Sequence, residues 1–291
     1  MICNICPRNC NIDRSVLRGF CNSPEIPLVT RASLHLWEEP VISGEKGSGT
    51  VFFSGCNLGC KYCQNKDISR GGKGKPLDVS QLKKIYHRLI DMGAHNINLV
   101  TPCHFADAVV RSLDEPLPVP VIWNTGSYEK VSTIEKLKDK VQVFLPDLKY
   151  SSNELGVKYS KAPGYFDIAT AAIKKMVDMV GRVEIENGLI KKGVIIRHLV
   201  LPGEIENTLR VIDWVANTFP EDTVMFSLMS QYTPNGQCKE PNLRRRLTQD
   251  EYDTVADYMF AFGPENGYMQ ELSSAKEEYT PDFDLTGVED V

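Results

Sequence analysis

The sequence lacks any apolar run that approaches the roughly 20 residues a membrane-spanning helix needs. It also lacks an excess of positive charge, since 33 Lys and Arg residues stand against 38 Asp and Glu residues. A mildly acidic chain is not expected to bind nucleic acid broadly through charge alone. The first residues, Met-Ile-Cys-Asn, lack the basic and then apolar pattern of a secretory signal. These absences predict a cytoplasmic protein without a membrane partner.

No internal repeat stands out, and the length of 291 residues suits one α/β domain with small additions. Six apolar segments have strand character, at 49–54, 96–101, 118–123, 141–145, 194–200 and 223–228. Helical patterns follow them at 81–92, 104–113, 128–138, 163–180, 205–218 and 248–262. Ser80 is the expected N-cap of the first of these helices. This alternation predicts parallel βαβ units with right-handed crossovers. Six strands are too few for an eight-stranded barrel, so the predicted fold is an open (β/α)6 partial barrel over residues 49–291.

Cysteine is the residue type with the clearest pattern. Cys56, Cys60 and Cys63 follow the first apolar segment as Cys-x3-Cys-x2-Cys. A disulfide between two of these thiols would leave the third unpaired, and a zinc site would need a fourth ligand. A cubane iron–sulfur cluster takes four cysteines when it is fully ligated, so three cysteines leave one iron open. The amino and carboxylate groups of S-adenosylmethionine (SAM) can chelate such an iron, and SAM is a known carrier of radical chemistry.

A second group of cysteines precedes this triad, within residues 1–48, which we interpret as a cysteine-rich metal-binding segment and connector. It consists of Cys3, Cys6, Cys10 and Cys21. Four clustered thiols in a reducing compartment favour a metal site over free thiols, and both zinc and a fully ligated iron–sulfur cluster fit. In the connector, His35 is expected to be a satisfied histidine, and Glu38 and Glu39 are expected to be a solvated pair. The alternative places His35 or one of these carboxylates near the substrate.

The triad, with the aromatic Tyr62 before its last cysteine, resembles the radical SAM superfamily. Cys63-Gln64-Asn65 and Ile68-Ser69 resemble the proteins related to pyruvate formate-lyase activating enzyme. The resemblance extends over nearly the whole chain. It implies a partial (β/α)6 barrel, a [4Fe-4S] cluster on the triad, SAM as cofactor, and a low-potential electron donor such as flavodoxin or ferredoxin. It also implies that Tyr62 contacts the adenine of SAM.

The nearest-looking relatives imply a reaction in which a 5′-deoxyadenosyl radical forms a glycyl radical on a partner enzyme. Radical modification of another peptide or of a small molecule is the alternative within this class. The alternative outside it is a zinc-binding interaction or RNA-binding module built on the N-terminal cysteines.

The same resemblance assigns roles to residues at the predicted strand ends. Asp147 and Lys149 match an Asp-x-Lys element that positions SAM, and Arg197 matches an arginine that contacts SAM. A structural ion pair is the alternative for Asp147 and Lys149. Asn124 stands where the family has an aspartate beside a monovalent cation, so one negative ligand is lost there. The chain lacks the Gly-Gly-Glu motif that holds the SAM amino group in many members, which leaves backbone oxygens or Thr101 for that contact.

Two further segments carry expectations. The loop from Arg70 to Pro76 is rich in glycine and lysine, and it is interpreted either as a cover over the cluster or as a plain surface loop. The acidic end, Glu277 to Val291, contains Tyr279 and Phe283. These two aromatic residues are expected to dock on the barrel.

Overall fold

A computed structural model describes residues 2–70, 72–234, 238–274 and 281–291. The strands over these residues are β1 (Leu28–His35), β2 (Ser48–Phe53), β3 (Lys75–Pro76), β4 (Ile97–Val100), β5 (Val121–Thr125), β6 (Val143–Pro146), β7 (Glu184–Glu186), β8 (Leu189–Leu199), β9 (Met225–Met229) and β10 (Gly267–Met269). The α-helices are α1 (Pro40–Ser43), α2 (Lys66–Ser69), α3 (Val79–Asp91), α4 (Ala106–Ser112), α5 (Val131–Ile134), α6 (Asn153–Ser160), α7 (Tyr165–Val180), α8 (Ile205–Thr218) and α9 (Gln249–Phe262).

The central sheet has the strand order β10-β9-β8-β6-β5-β4-β2-β1-β3, and the stretch from β2 to β10 is parallel throughout. All six predicted strands are present in this stretch, with a helix after each of them. The α/β partial barrel predicted from the sequence is therefore confirmed. Strand β10 extends the parallel stretch by one strand, and β1 adds an antiparallel strand beside β2.

The connector after β1 closes one end of the barrel. Because β1 runs antiparallel to β2, the chain reaches the end where the parallel strands begin, and there it forms the short helix α1. Pro40 starts α1, a position where its missing N–H costs no hydrogen bond. Val41 and Ile42 pack on apolar side chains that line the barrel: Ile122, Val143, Leu145, Ile195 and Met225. The opposite end, where the strands finish, stays open for chemistry.

Helix α3 begins differently from the expectation that Ser80 caps it. The Asp78 carboxylate accepts a hydrogen bond from the backbone N–H of Gln81 at 2.8 Å, and the Gln81 side chain accepts one from the N–H of Asp78 at 2.9 Å. This reciprocal pair is a capping box. The prediction of Ser80 as the cap was wrong because an aspartate two residues earlier satisfies more of the free backbone donors.

The C-terminal segment docks on the barrel as expected for one of its two aromatic residues. Phe283 packs edge-on against Phe52 at 5.5 Å between ring centroids and also contacts the cluster that contains Ile68. Backbone hydrogen bonds join Leu285 to Thr30 and Thr286 to Ala32. Tyr279 lies outside the described residues.

The loop of residues 70–76 ends in β3, which pairs with β1, so this part of it is held at the sheet edge rather than over the triad. Over the described ranges, no helix combines the length and the apolar character needed to cross a bilayer.

Two buried histidines lead us to expect that the fold loses stability in acid. The His104 ring nitrogen Nε2 lies 2.8 Å from the carbonyl of Ser54, and His198 Nδ1 lies 2.6 Å from the carbonyl of Leu148. Burial lowers the pKa of His104 from 6.5 to about 3 and that of His198 to about 4. The unfolded chain therefore binds these protons first, and stability is lost as the pH falls below 6.5 toward the folded values.

We expect each histidine to cost about 1.4 kcal/mol of unfolding free energy for each pH unit in this window. Chemical unfolding of the metal-free chain at pH 7.5 and at pH 5.5 measures this loss. The His198→Gln variant is the matched comparison, since it should lose about half as much. Equal losses in the two proteins would contradict the assignment.

Candidate active site

The triad loop leaves β2 through a glycine that no other residue can replace. Gly55 has a φ of +87°, and a Cβ on it would collide with the Ser23 hydroxyl. The loop therefore turns sharply against the N-terminal segment, and Cys56 follows at once. The side chains of all three triad cysteines are only partly buried.

The end of α6 holds the middle of this loop. The backbone N–H of Gly59 donates to the carbonyl of Ser160, and that of Lys61 donates to the carbonyl of Tyr159, both at 2.8 Å. These bonds lie on either side of Cys60. Sequence patterns did not predict α6, although Ser152, whose side chain caps it, is a recognisable start signal.

The triad opens onto a cavity of about 320 Å³ enclosed by the barrel. Every residue that the sequence suggested for a SAM site lies on its wall. These residues are Cys56, Cys60, Tyr62, Cys63, Thr101, Asn124, Asp147, Lys149 and Arg197. They come from the triad loop and from the ends of β4, β5, β6 and β8, so the parallel topology brings them together.

A buried ionic network lies in the wall of this cavity and is centred on Arg197. The guanidinium donates through Nε to Asp147 at 2.9 Å, through Nη1 to Glu38 at 3.0 Å and through Nη2 to Asn124 at 2.7 Å. Burial alone would lower the pKa of Arg197, but the carboxylates around it raise the value instead. All three guanidinium nitrogens are thus occupied by protein groups.

Lys149 is the second cation of this network. Its Nζ lies 2.7 Å from Asp147 Oδ2, which uses one of its three donors. Burial alone would raise the pKa of Asp147, but Arg197 and Lys149 hold it below the usual range. The Asp147 carboxylate also raises the pKa of Lys149, against the effect of burial. Both side chains are therefore charged, and Lys149 faces the same cavity as the thiols.

Glu38 and Glu39 correct the expectation of a solvated pair. Glu38 accepts hydrogen bonds from Asn98 at 2.9 Å and from Arg197, and its side chain is 10% exposed. Glu39 is 8% exposed, and burial raises the pKa of its carboxyl. Both residues line the cavity because they directly precede α1, which packs into the end of the barrel. The signal that could have found them is the run Glu-Glu-Pro between two strands, since a proline there starts a helix.

Tyr62 in the triad loop and Thr101 at the end of β4 have unusual environments. Tyr62 is buried, with its ring edge-on to Tyr232 and its hydroxyl 2.9 Å from the hydroxyl of Tyr150. Thr101 has a φ of +58°, which is rare for a β-branched residue. Such strain is found mainly where a fold positions functional groups. His35 also lines the cavity and packs edge-on to Phe52.

The N-terminal cysteine segment is fastened directly to the triad loop. Arg8 donates to the carbonyl of Asn57 at 2.7 Å, and its guanidinium lies 3.5 Å from the centroid of the Phe20 ring. Arg70 lies over the same ring at 4.4 Å and donates to the carbonyl of Leu58 at 2.5 Å. Phe20, the residue before Cys21, therefore contacts two arginines that also hold the triad loop.

The four N-terminal thiols lie in one neighbourhood. Burial raises the pKa of Cys6 to about 11, and the charges of Cys21, Cys10 and Cys3 add to that increase. Three or more His, Cys, Asp or Glu side chains arranged to hold a single metal ion are not found in the described part of the chain.

A family model provides the deciding comparison for this site. The model of the radical SAM superfamily matches residues 50–215, which include the triad and the strand ends up to Arg197. The chain belongs to the radical SAM superfamily. Membership implies a [4Fe-4S] cluster and SAM as the cofactors of a radical SAM enzyme. Uncharacterized protein MJ0674 of Methanocaldococcus jannaschii is 34% identical over 269 residues, covering 88% of this chain and 73% of that protein.

Solved structures share the fold of this radical SAM protein at low sequence identity. SuiB of Streptococcus suis, bound to the precursor peptide SuiA, has a TM-score of 0.51 at 14% identity over 77% of this chain. The match covers only 48% of SuiB, so this chain spans about half the length of that protein. Methylornithine synthase (PylB) has a TM-score of 0.52 at 16% identity, with 88% of this chain and 72% of PylB covered.

A spore photoproduct lyase variant has a TM-score of 0.53 at 12% identity, covering 82% of this chain and 79% of the lyase. At these identities the likeness supports the fold alone. None of these proteins is described as an activating enzyme for a glycyl radical, so that finer prediction gains no support from them.

Proposed function

We propose that this radical SAM enzyme binds its [4Fe-4S] cluster through Cys56, Cys60 and Cys63 and binds SAM in the adjoining cavity. The observation that carries the proposal is that the three thiols and the strand-end charges line one cavity. When bound, such a cluster supplies one electron for the reductive cleavage of SAM to a 5′-deoxyadenosyl radical, which abstracts a substrate hydrogen.

The triad fits a cluster better than it fits a single ion. Each thiolate of a cubane binds a different iron, and three thiolates leave the fourth iron open for SAM. Burial raises the pKa of Cys56 to about 12 and that of Cys63 to about 11 in the metal-free chain. Assembly of the cluster therefore has to displace protons from these thiols.

Charge complementarity suggests how the cavity orients SAM. Lys149 offers free donors to the SAM carboxylate, and Tyr62 offers an aromatic ring to the adenine. Asp147, Asn124 and the backbone at Thr101 remain for its cationic groups. In this proposal Arg197 positions Asp147, since its Nε donates to that carboxylate while its other two nitrogens donate to Glu38 and Asn124.

The test is reductive SAM cleavage by the reconstituted protein under anaerobic conditions with a low-potential reductant. We expect iron and sulfide in the amounts of one or two four-iron clusters and the formation of 5′-deoxyadenosine. A protein that holds iron and sulfide but forms no 5′-deoxyadenosine would overturn the proposed reaction. A protein that holds zinc alone would instead support the binding-module alternative.

Removal of Asp147 should weaken SAM binding without loss of the cluster. A charge-assisted hydrogen bond contributes on the order of 1.5–3 kcal/mol, so Asp147→Ala should raise the dissociation constant of SAM about tenfold to a hundredfold. Binding can be measured by calorimetry on the reconstituted protein, with cluster content checked by absorbance. Asp114→Ala is the matched control, because Asp114 forms a surface ion pair with Lys83 away from the cavity. Equal affinity in both variants would mean that Asp147 does not serve SAM.

We also propose that Cys3, Cys6, Cys10 and Cys21 bind a second, structural metal centre. A bound cation would relieve the repulsion between four close thiolates. Burial is the main cause of the raised pKa of Cys6, and the charges of Cys21, Cys10 and Cys3 add to it. Four thiolates fit both a four-iron cluster and a single zinc ion. Its role would be to hold the segment that Arg8 and Phe20 fasten to the triad loop.

A variant that lacks the triad thiols separates the two centres. Cys56→Ala, Cys60→Ala and Cys63→Ala in one chain should leave one metal centre per protein at the N-terminal site, either a four-iron cluster or one zinc ion. Iron, sulfide and zinc are measured on the purified variant. Removal of Cys3, Cys6, Cys10 and Cys21 as well should abolish the remaining metal. A triad variant that contains neither iron nor zinc would mean that the four N-terminal residues are free thiols.

A peptide segment is the substrate class that we propose for this site. The sequence resemblance to activating enzymes suggests a partner protein in which a glycyl radical forms, and SuiB shows the same fold with a precursor peptide. Incubation of the reduced, SAM-loaded enzyme with a candidate partner encoded beside it should produce an organic radical by electron paramagnetic resonance. Radical formation on a small molecule but on no peptide would favour the alternative, which is radical modification of a small molecule.

A further inference from the structure

The Cys60 thiol receives a hydrogen bond that no sequence pattern indicated. The Ser160 hydroxyl donates to the Cys60 sulfur at 2.9 Å. Ser160 is fully buried and is the last residue of α6. Because it is buried, this hydroxyl cannot donate to bulk water instead of to the sulfur.

Ser160 ends a chain of three buried hydroxyl groups. The hydroxyl oxygens of Tyr62 and Tyr150 are 2.9 Å apart, and those of Tyr150 and Ser160 are 2.6 Å apart. Each hydroxyl has only one proton to donate. Because Ser160 donates to sulfur, Tyr150 donates to Ser160, and Tyr62 in turn donates to Tyr150. Successive bonds in such a chain polarise one another, which strengthens the last bond onto the sulfur.

This chain is held rigidly against the triad loop. The two backbone bonds from Gly59 and Lys61 to the end of α6 fix the distance between Ser160 and Cys60. The Tyr150 ring packs between Tyr159 at 6.1 Å and Tyr165 at 5.1 Å. The donor therefore stays in place when the charge on the sulfur changes.

We propose that Ser160 raises the reduction potential of the cluster by donating to Cys60, and that Tyr150 and Tyr62 direct that donation. Hydrogen bonds to the sulfur ligands are among the factors that set the potential of an iron–sulfur cluster. An added electron makes the ligand sulfurs more negative, so the bond is stronger in the reduced form and favours it. The inference rests on the proposed function, since it requires Cys60 to ligate the cluster. Ser160 is thus a positioning residue that acts through a ligand.

The test is a redox titration of the reconstituted holoenzyme, followed by electron paramagnetic resonance. Ser160→Ala should lower the ratio of reduced to oxidised cluster at a fixed potential by about threefold to tenfold, in line with the loss of part of one charge-assisted bond. A tenfold change corresponds to a midpoint about 59 mV lower for one electron. Ser160→Thr keeps the hydroxyl and should restore the potential, while Tyr150→Phe should give a smaller shift in the same direction.

Ser112→Ala is the matched control. Ser112 is a buried helical serine whose hydroxyl lies 3.0 Å from that of Tyr86, remote from the cavity, so its loss should leave the potential unchanged. A Ser160→Ala protein with full iron content and a wild-type potential would overturn the proposal. If that variant fails to hold iron, the titration of Tyr150→Phe decides, and a wild-type potential there overturns it equally. If iron analysis shows that the wild-type chain holds no cluster, it is the proposed function that fails.

Discussion

Replacement of Cys60 with alanine is expected to abolish the reductive cleavage of SAM. Two thiolates cannot hold a four-iron cluster that leaves one defined iron open, so the variant should lose both the cluster absorbance and 5′-deoxyadenosine formation. Cys60 is also the triad cysteine that the end of α6 holds in place, so its replacement leaves the loop anchored but without its central ligand. The measurement is 5′-deoxyadenosine formed per protein after anaerobic reconstitution with a low-potential reductant.

Cys103→Ala is the matched control for this experiment. Cys103 is 2% exposed and is not among the residues that line the cavity, so its replacement removes a buried thiol but no proposed cluster ligand. This variant should keep its cluster and its SAM cleavage. Cleavage at the wild-type rate by Cys60→Ala would refute the assignment of the triad.

Replacement of Arg197 with methionine should have the second largest effect, and it should act on stability as well as on binding. The change leaves Asp147 and Glu38 as buried carboxylates without their shared cation. Breaking a buried ion pair by removal of one partner costs about 3–5 kcal/mol. We expect a loss of that size in the free energy of unfolding, together with weaker SAM binding because Asp147 is no longer held in place.

Urea unfolding of the metal-free chain under reducing conditions measures the first effect. Arg210→Met is the matched control, because Arg210 pairs with Glu206 on the surface of α8, where the two side chains are 64% and 69% exposed. A surface pair of this kind contributes at most about 1 kcal/mol. If the two variants unfold at the same urea concentration, the network around Arg197 is not a structural element of the barrel.

Local patterns were sufficient to predict the parallel core and the triad. The strands β2, β4, β5, β6, β8 and β9 are short apolar runs between turn residues, and each is followed by a helical period. The placement of Asp147, Lys149 and Arg197 around one cavity follows from strand polarity, since parallel strands end at the same edge. The strands, the helices and the triad are patterns of residues that are close in sequence, so periodicity and spacing predict them.

Contacts between distant segments could not be predicted in this way. Glu38 lies 159 residues from Arg197 in the chain, and nothing local distinguishes a glutamate in a buried network from a solvated one. The bond from Ser160 to Cys60 joins residues 100 apart, and α6 is a short helix with little apolar periodicity. Strand β10 has three residues, too few for an alternating pattern. Tertiary packing determines each of these features.

The order in which the chain is synthesised gives the bond between Ser160 and Cys60 a further consequence. Ninety-seven residues separate Cys63 from Ser160, so at about 5–20 residues per second the ribosome exposes the triad for roughly 5–20 s before its partner on α6 emerges. Arg8, Phe20 and Arg70 emerge close to the triad in time, and they can fold over its loop first. The triad loop is thus expected to make its first contacts with Arg8 and Arg70, and its bonds to the end of α6 form last.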